Sequence, residues 1–69
     1  MSGHAVSRTT PCDELPELLR VEEAAAWLGT SRGLIYELVR QGELTGVRLG
    51  RLLRIPRTSL IAKAQAVTP

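Results

Sequence analysis

Eight of the nine cationic side chains in this sequence are arginines, and they are unevenly placed. Residues 44–69 hold Arg48, Arg51, Arg54, Arg57 and Lys63 without a single carboxylate, a local balance of +5. Residues 1–43 hold Arg8, Arg20, Arg32 and Arg40 against seven acids, a balance of −3, so the net charge of +2 conceals the contrast. A guanidinium is planar, permanently charged and carries five N–H donors. It can grip phosphate oxygens or the edge of a guanine with two parallel hydrogen bonds. Charge segregated in this way points to a polyanionic partner.

Other chemistries find no support. One histidine, His4, and scattered carboxylates assemble no nucleophile–base–acid set, so no catalytic residues are assigned and no enzyme is expected. The single Cys12 cannot form an internal disulfide, and with one His it cannot build a finger-type zinc site. Neither a metal nor a cofactor is expected, and Cys12 reads as an exposed free thiol. No apolar run approaches the roughly 18 residues that span a bilayer, and nothing resembles a signal peptide. The expected location is cytoplasmic, with no membrane partner.

The elements that position the arginines must fit in 69 residues, which excludes barrels and doubly wound sheets and leaves one small domain. The composition, 43% apolar and 23% charged, suits a globular chain, and with only Trp27 and Tyr36 aromatic its core must be aliphatic. Residues 1–16 mix Ser, Gly, Thr and Pro without an apolar period and read as a flexible tail. Residues 17–66 form the expected domain, and 67–69 the expected frayed end. Val21, Ala24, Ala25 and Leu28 recur at helical spacing, with Glu22 and Glu23 in the first turn and Gly29 at the C-terminal left-handed position. Arg20 precedes this helix in place of a capping Ser or Thr, so its first turn should fray. Leu18 and Leu19 should enter the core from the extended segment before it.

Gly29 and Thr30 alone separate this helix from the next, which Ser31 caps, Ile35, Leu38 and Val39 stripe, and Gly42 ends. Two amphipathic helices joined so tightly form a helix-turn-helix arrangement. Beyond Glu43 the period changes. A two-residue hairpin loop, Gly50-Arg51, would face Leu49 with Leu52 and set Arg48 on the face of Leu53 and Ile55. A three-residue loop, Gly50-Arg51-Leu52, pairs Leu49 with Leu53, Arg48 with Arg54 and Val47 with Ile55, turning the apolar residues inward and both arginines outward. The second register is therefore expected. Pro56 suits the first turn of a last helix, whose apolar face is Leu60, Ile61 and Ala64.

At 100° per residue, Gly33, Tyr36, Glu37 and Arg40 point away from the stripe of the second helix, with Ser31 and Arg32 at its N-terminal turn. Arg40 can reach a guanine edge or a phosphate, and Tyr36 a phosphate or a thymine methyl. Gly33 lets a backbone approach. Glu37 either accepts from a cytosine amino group or pairs with Arg40 within the helix. Arg48, Arg51 and Arg54 crowd positive charge on the hairpin, which an anion would neutralise. The alternative is a charged edge that blocks strand addition. Trp27 reads as packing at the rim of the core.

From Leu18 to about Ala64, the strings "LLRVEEAAAWLGTSRGLIYELVRQGEL" and "GVRLGRLLRIPRTSL" resemble the small excisionase-type, MerR-like winged helix-turn-helix domains. The resemblance implies an α+β, mainly helical fold with a recognition helix in the DNA major groove and an arginine-bearing wing on the neighbouring groove or backbone. Ser31, Arg32, Tyr36 and Arg40 match the family's recognition-helix positions, and Arg48, Arg51 and Arg54 match its wing. The implied function is sequence-specific binding of double-stranded DNA by an excisionase that assists an integrase in excising a mobile element. A minimal transcriptional regulator is the close alternative. An adaptor that holds a protein partner with Leu52 and Trp27 is the rival of another class. The short chain leads us to expect no appended effector or dimerisation domain, and cooperative self-association of copies on DNA.

Overall fold

The structure is a computed structural model and describes residues 6–66. In chain order the elements are β1 (Leu18–Arg20), α1 (Val21–Leu28), α2 (Arg32–Arg40), β2 (Val47–Leu49), β3 (Leu52–Pro56) and α3 (Arg57–Ala66), after a 3-10 turn at Cys12–Glu14. This is an α+β winged helix-turn-helix. It holds one strand more than the sequence suggested, because the extended segment before α1 pairs with β3.

Local chemistry fixes both helices of the helix-turn-helix. The Arg20 backbone N–H donates to Glu23 Oε1 at 2.8 Å, so an acid three residues into α1 holds the turn that was expected to fray. At the other end Gly29 takes φ 71°, its N–H donates to the Ala26 carbonyl at 3.2 Å, and the Thr30 N–H donates to that of Ala25 at 2.9 Å. Two carbonyls left open by the helix end are thereby satisfied. Ser31 then opens α2, its Oγ accepting from the Leu34 N–H at 3.2 Å. Helix α2 ends by the same device: Gly42 has φ 80°, with Gly42 N–H to Val39 O at 3.1 Å and Glu43 N–H to Leu38 O at 2.8 Å.

The sheet has strand order β1-β3-β2, all antiparallel, so β3 is central. Its pairing with β1 sets Leu19 opposite Ile55, both fully buried. Alternation along β3 then sends Leu53 inward and Leu52 and Arg54 outward. The hairpin register is the one judged the less plausible. Leu49 pairs with Leu52, Arg48 with Leu53 and Val47 with Arg54, across the two-residue loop Gly50-Arg51. Gly50 has φ 65°, the positive value that this tight loop needs at its first position. Arg48 shares a face with Leu53 yet stays exposed, since β2 is an edge strand and tolerates a charge there. Leu49 and Leu52 are therefore not core residues; they are 51% and 52% exposed on the outer face, which Leu18 shares.

Three further expectations need correction. Residues 6–16 are not a detached tail: Leu15 is buried, Val6 packs on the core, and the Trp27 indole N–H donates to the Thr10 carbonyl at 2.8 Å. Pro56 closes β3 opposite Leu18 instead of starting α3. Leu18 does not enter the core. Helix α3 begins at Arg57, whose N–H donates to the Glu17 carbonyl at 2.9 Å and whose Nη1 donates to that of Leu15 at 2.7 Å. Arg57 thus straps the leading segment to α3, an aperiodic contact that composition conceals. Leu60 is fully buried, Ile61 packs beside it, and the Thr45 N–H donates to Ser59 Oγ at 2.9 Å. Leu19, Ile35, Ile55 and Leu60 are the largest fully buried side chains. Each contributes about 1.5–3 kcal/mol by burial. His4 and residues 67–69 lie outside the described residues.

Candidate nucleic-acid interface

Helix α2 turns Ile35 into the core and rests Leu38 and Val39 against it, which fixes its rotation. Ser31, Arg32, Gly33, Tyr36 and Arg40 are all exposed as a result, and Glu37 is half-buried. Ser31 spends its hydroxyl as the cap, so its contribution to a ligand comes from position and backbone. Leu34, 43% exposed at the N-terminal turn, joins this face. Sequence reading passed over it because it sits one step outside the Ile35 stripe. An apolar side chain there suits a thymine methyl.

Glu37 and Arg40 pair with each other within the helix in this structure. The two form an ion pair through Nη2, with Arg40 Nε donating to Glu37 Oε1 at 3.3 Å and Gln41 Nε2 donating to Oε2 at 2.8 Å. The Arg40 bonds, then the Gln41 amide, hold the Glu37 carboxyl below its ordinary range. Both partners are accessible to solvent, so the pair adds little to stability. Its effect is orientation: the Arg40 fork is held along the helix, and Glu37 has no carboxylate oxygen left without a donor.

The remaining cations divide by what they touch. Lys63 forms an ion pair with Glu43, which lowers the Glu43 pKa, and Arg57 is engaged with backbone carbonyls. Arg48, Arg51 and Arg54 form no ion pair with a described acid. They do not lie together as expected, because the observed register separates Arg48 and Arg54 onto opposite faces of the hairpin with Arg51 at its tip. One groove joins Arg51, Leu52 and Arg54 of the wing to Tyr36 of α2, with Arg20, Val21 and Glu22 from the start of α1. The structure thus brings Tyr36, Arg51 and Arg54 together and leaves Arg48 off that lining. Arg20 and Glu22 were not anticipated in it, since only the β1–β3 pairing carries them there. Trp27 is packed and hydrogen-bonded, which removes half of the surface an adaptor would use.

Among the described residues no helix is long and apolar enough to cross a membrane, and no cluster of His, Cys, Asp and Glu could hold a metal ion.

A Saccharopolyspora erythraea protein named "Probable excisionase" is 58% identical over 43 residues, covering 62% of this chain and 44% of that protein. A Mycobacterium tuberculosis protein named as DNA-binding is 46% identical over 39 residues, covering 56% of this chain and 50% of its own length. The chain thus spans about half the length of the curated relatives it matches. No solved structure matches it. The helix-turn-helix domain family matches residues 18–66, from the first strand through the last helix, and the chain belongs to that family.

Proposed function

We propose that this chain binds double-stranded DNA sequence-specifically and serves as an excisionase, helping an integrase to excise a mobile element. The observation that carries the reading is the groove joining the outward face of α2 to the arginine wing. One duplex can meet both at once. Arg32, Gly33, Tyr36, Glu37 and Arg40, with Ser31 at the helix start, enter the major groove, while Arg48, Arg51 and Arg54 meet the sugar–phosphate backbone. The split of the wing arginines onto two faces lets it contact phosphates on both of its sides. The specific role rests on likeness to the protein named "Probable excisionase".

A single such module buries about 600–1,000 Å² of protein surface, too little for high specificity alone. Several copies on adjacent sites, associating once DNA aligns them, supply the rest. Anisotropy titration against random and selected duplexes over a salt series tests binding, and excision by a candidate integrase with and without this chain tests the role. A minimal transcriptional regulator is the second reading, favoured by the mycobacterial relative named only for DNA binding. Specific binding that leaves excision unchanged and represses a nearby promoter selects it.

A further inference from the structure

On the outer face of the sheet Arg20 of β1 stands directly opposite Arg54 of β3. Side chains so placed have Cβ atoms about 4.5–5.5 Å apart, and like charges there repel. Neither guanidinium forms an ion pair with a described acid; Arg54 spends one donor, Nη1, on the Leu53 carbonyl at 3.2 Å. Both line the groove that Arg51 and Tyr36 also line. Glu22 is the one carboxylate of that lining, so three arginines leave it with a charge of +2.

Resting on the DNA-binding reading above, we infer that Arg20 and Arg54 clasp one phosphodiester group of the duplex, seated between the recognition helix and the wing, with the Tyr36 hydroxyl donating to it. A phosphate fits where a base edge does not. Two arginines from paired strands line the groove, and a full negative charge offsets their repulsion where the partial charges of a base cannot. Arg20 thereby becomes a backbone contact supplied by the strand before the helix-turn-helix. It fixes how far the wing lies from the recognition helix on the DNA.

The test uses the full chain and a random-sequence duplex, with affinity measured over a salt series. Arg20→Ser removes the charge and installs a favoured N-cap beside the existing Glu23 bond, so its melting temperature should not fall below the parent's. Its binding should weaken on all sequences alike, with the salt slope of log K reduced by about one unit. Arg20→Lys should keep the slope, and Arg20→Gln, which keeps the length of the stem, should lose it. In the double variant with Arg54→Ala the slope should fall by less than the sum of the single losses, because one phosphate is shared. A parent that binds duplex normally, with unchanged slopes in Arg20→Ser and Arg20→Gln, overturns the clasp and leaves the DNA reading standing. A parent that ignores duplex overturns both.

Discussion

Leu49, Leu52 and Leu53 lie within five residues of one another, yet the observed hairpin register gives them opposite energetic roles. Leu53 is 6% exposed and packs in the core, whereas Leu49 and Leu52 are 51% and 52% exposed and pair with each other on the outer face. Replacing a buried Leu with Ala costs about 2–5 kcal/mol through lost transfer energy and the cavity left behind. An exposed cross-strand pair is worth at most about 1 kcal/mol. A single core of this size supplies roughly 3–5 kcal/mol in all. Leu53→Ala should therefore consume most of the stability and leave a large unfolded fraction at 25 °C, while Leu49→Ala and Leu52→Ala keep a cooperative transition close to the parent's. Urea unfolding followed by far-ultraviolet circular dichroism and by Trp27 fluorescence reads all three, compared at constant m-value. The three-residue loop reverses part of this, since it turns Leu49 inward opposite Leu53. Comparable losses for Leu49→Ala and Leu53→Ala would refute the two-residue register and the arginine placement derived from it.

Other outcomes follow from single contacts. Gly46→Ala would set a Cβ 2.9 Å from both Leu53 Cδ1 and Val39 Cγ1, for an expected cost of about 1–3 kcal/mol in chemical denaturation. Gly50→Ala meets no atom within 4 Å but must hold φ 65°, at about 1–2 kcal/mol, and Gly50→Asn should recover part of that loss. The carboxyls of Glu37 and Glu43 titrate below their ordinary value of 4.5, held down by Arg40 and by Lys63. Because the folded values are the lower ones, the stabilisation is complete above that value and lost as pH falls through the depressed range. Melting curves of the parent and of the Glu37→Gln/Glu43→Gln variant should converge there; a gap that persists at lower pH assigns the difference to another cause. Trp27→Phe gives up the bond to the Thr10 carbonyl, about 1 kcal/mol. Proteolysis should then cut the segment from residue 6 to 16 sooner than in the parent.

What was legible in the sequence was short-range. Ser31, Gly29 and Gly42 mark helix ends through bonds to residues at most five positions away, so both helices and their turn could be read from spacing alone. The Glu37–Arg40 pairing is likewise an i, i+3 relation. The hairpin register was not legible, because the residue that decides it is Leu19, far away on β1. Only its pairing with Ile55 shows that β3 is central and that Leu53, not Leu49, must face the core. The same blindness hid Leu15, whose flanking prolines and acids resemble a tail, and Arg57, counted only in the positive balance of residues 44–69 although it binds backbone carbonyls. For the candidate site, the exposed face of α2 was visible at 100° per residue. The groove lining from Arg20 and Glu22 depends on the tertiary pairing of β1 with β3.

The placement of β1 also governs how the chain reaches this fold. Leu18 meets Pro56 and Arg20 meets Arg54 across separations of 38 and 34 positions. Closing a loop of that length costs about 3 kcal/mol in the length-dependent entropy term alone. The two helices and the β2–β3 hairpin need only neighbouring residues and can form in microseconds, but the sheet waits for the ends of the whole segment to meet. Until they do, β3 carries a bare edge beside the apolar Leu53 and Ile55, and a second unfinished chain can pair with it as readily as β1 does. Three residues at the entrance of the domain thus shield β3 from other copies of the chain during folding, and a truncation that removes Leu18–Arg20 should convert a small folded module into an aggregating one.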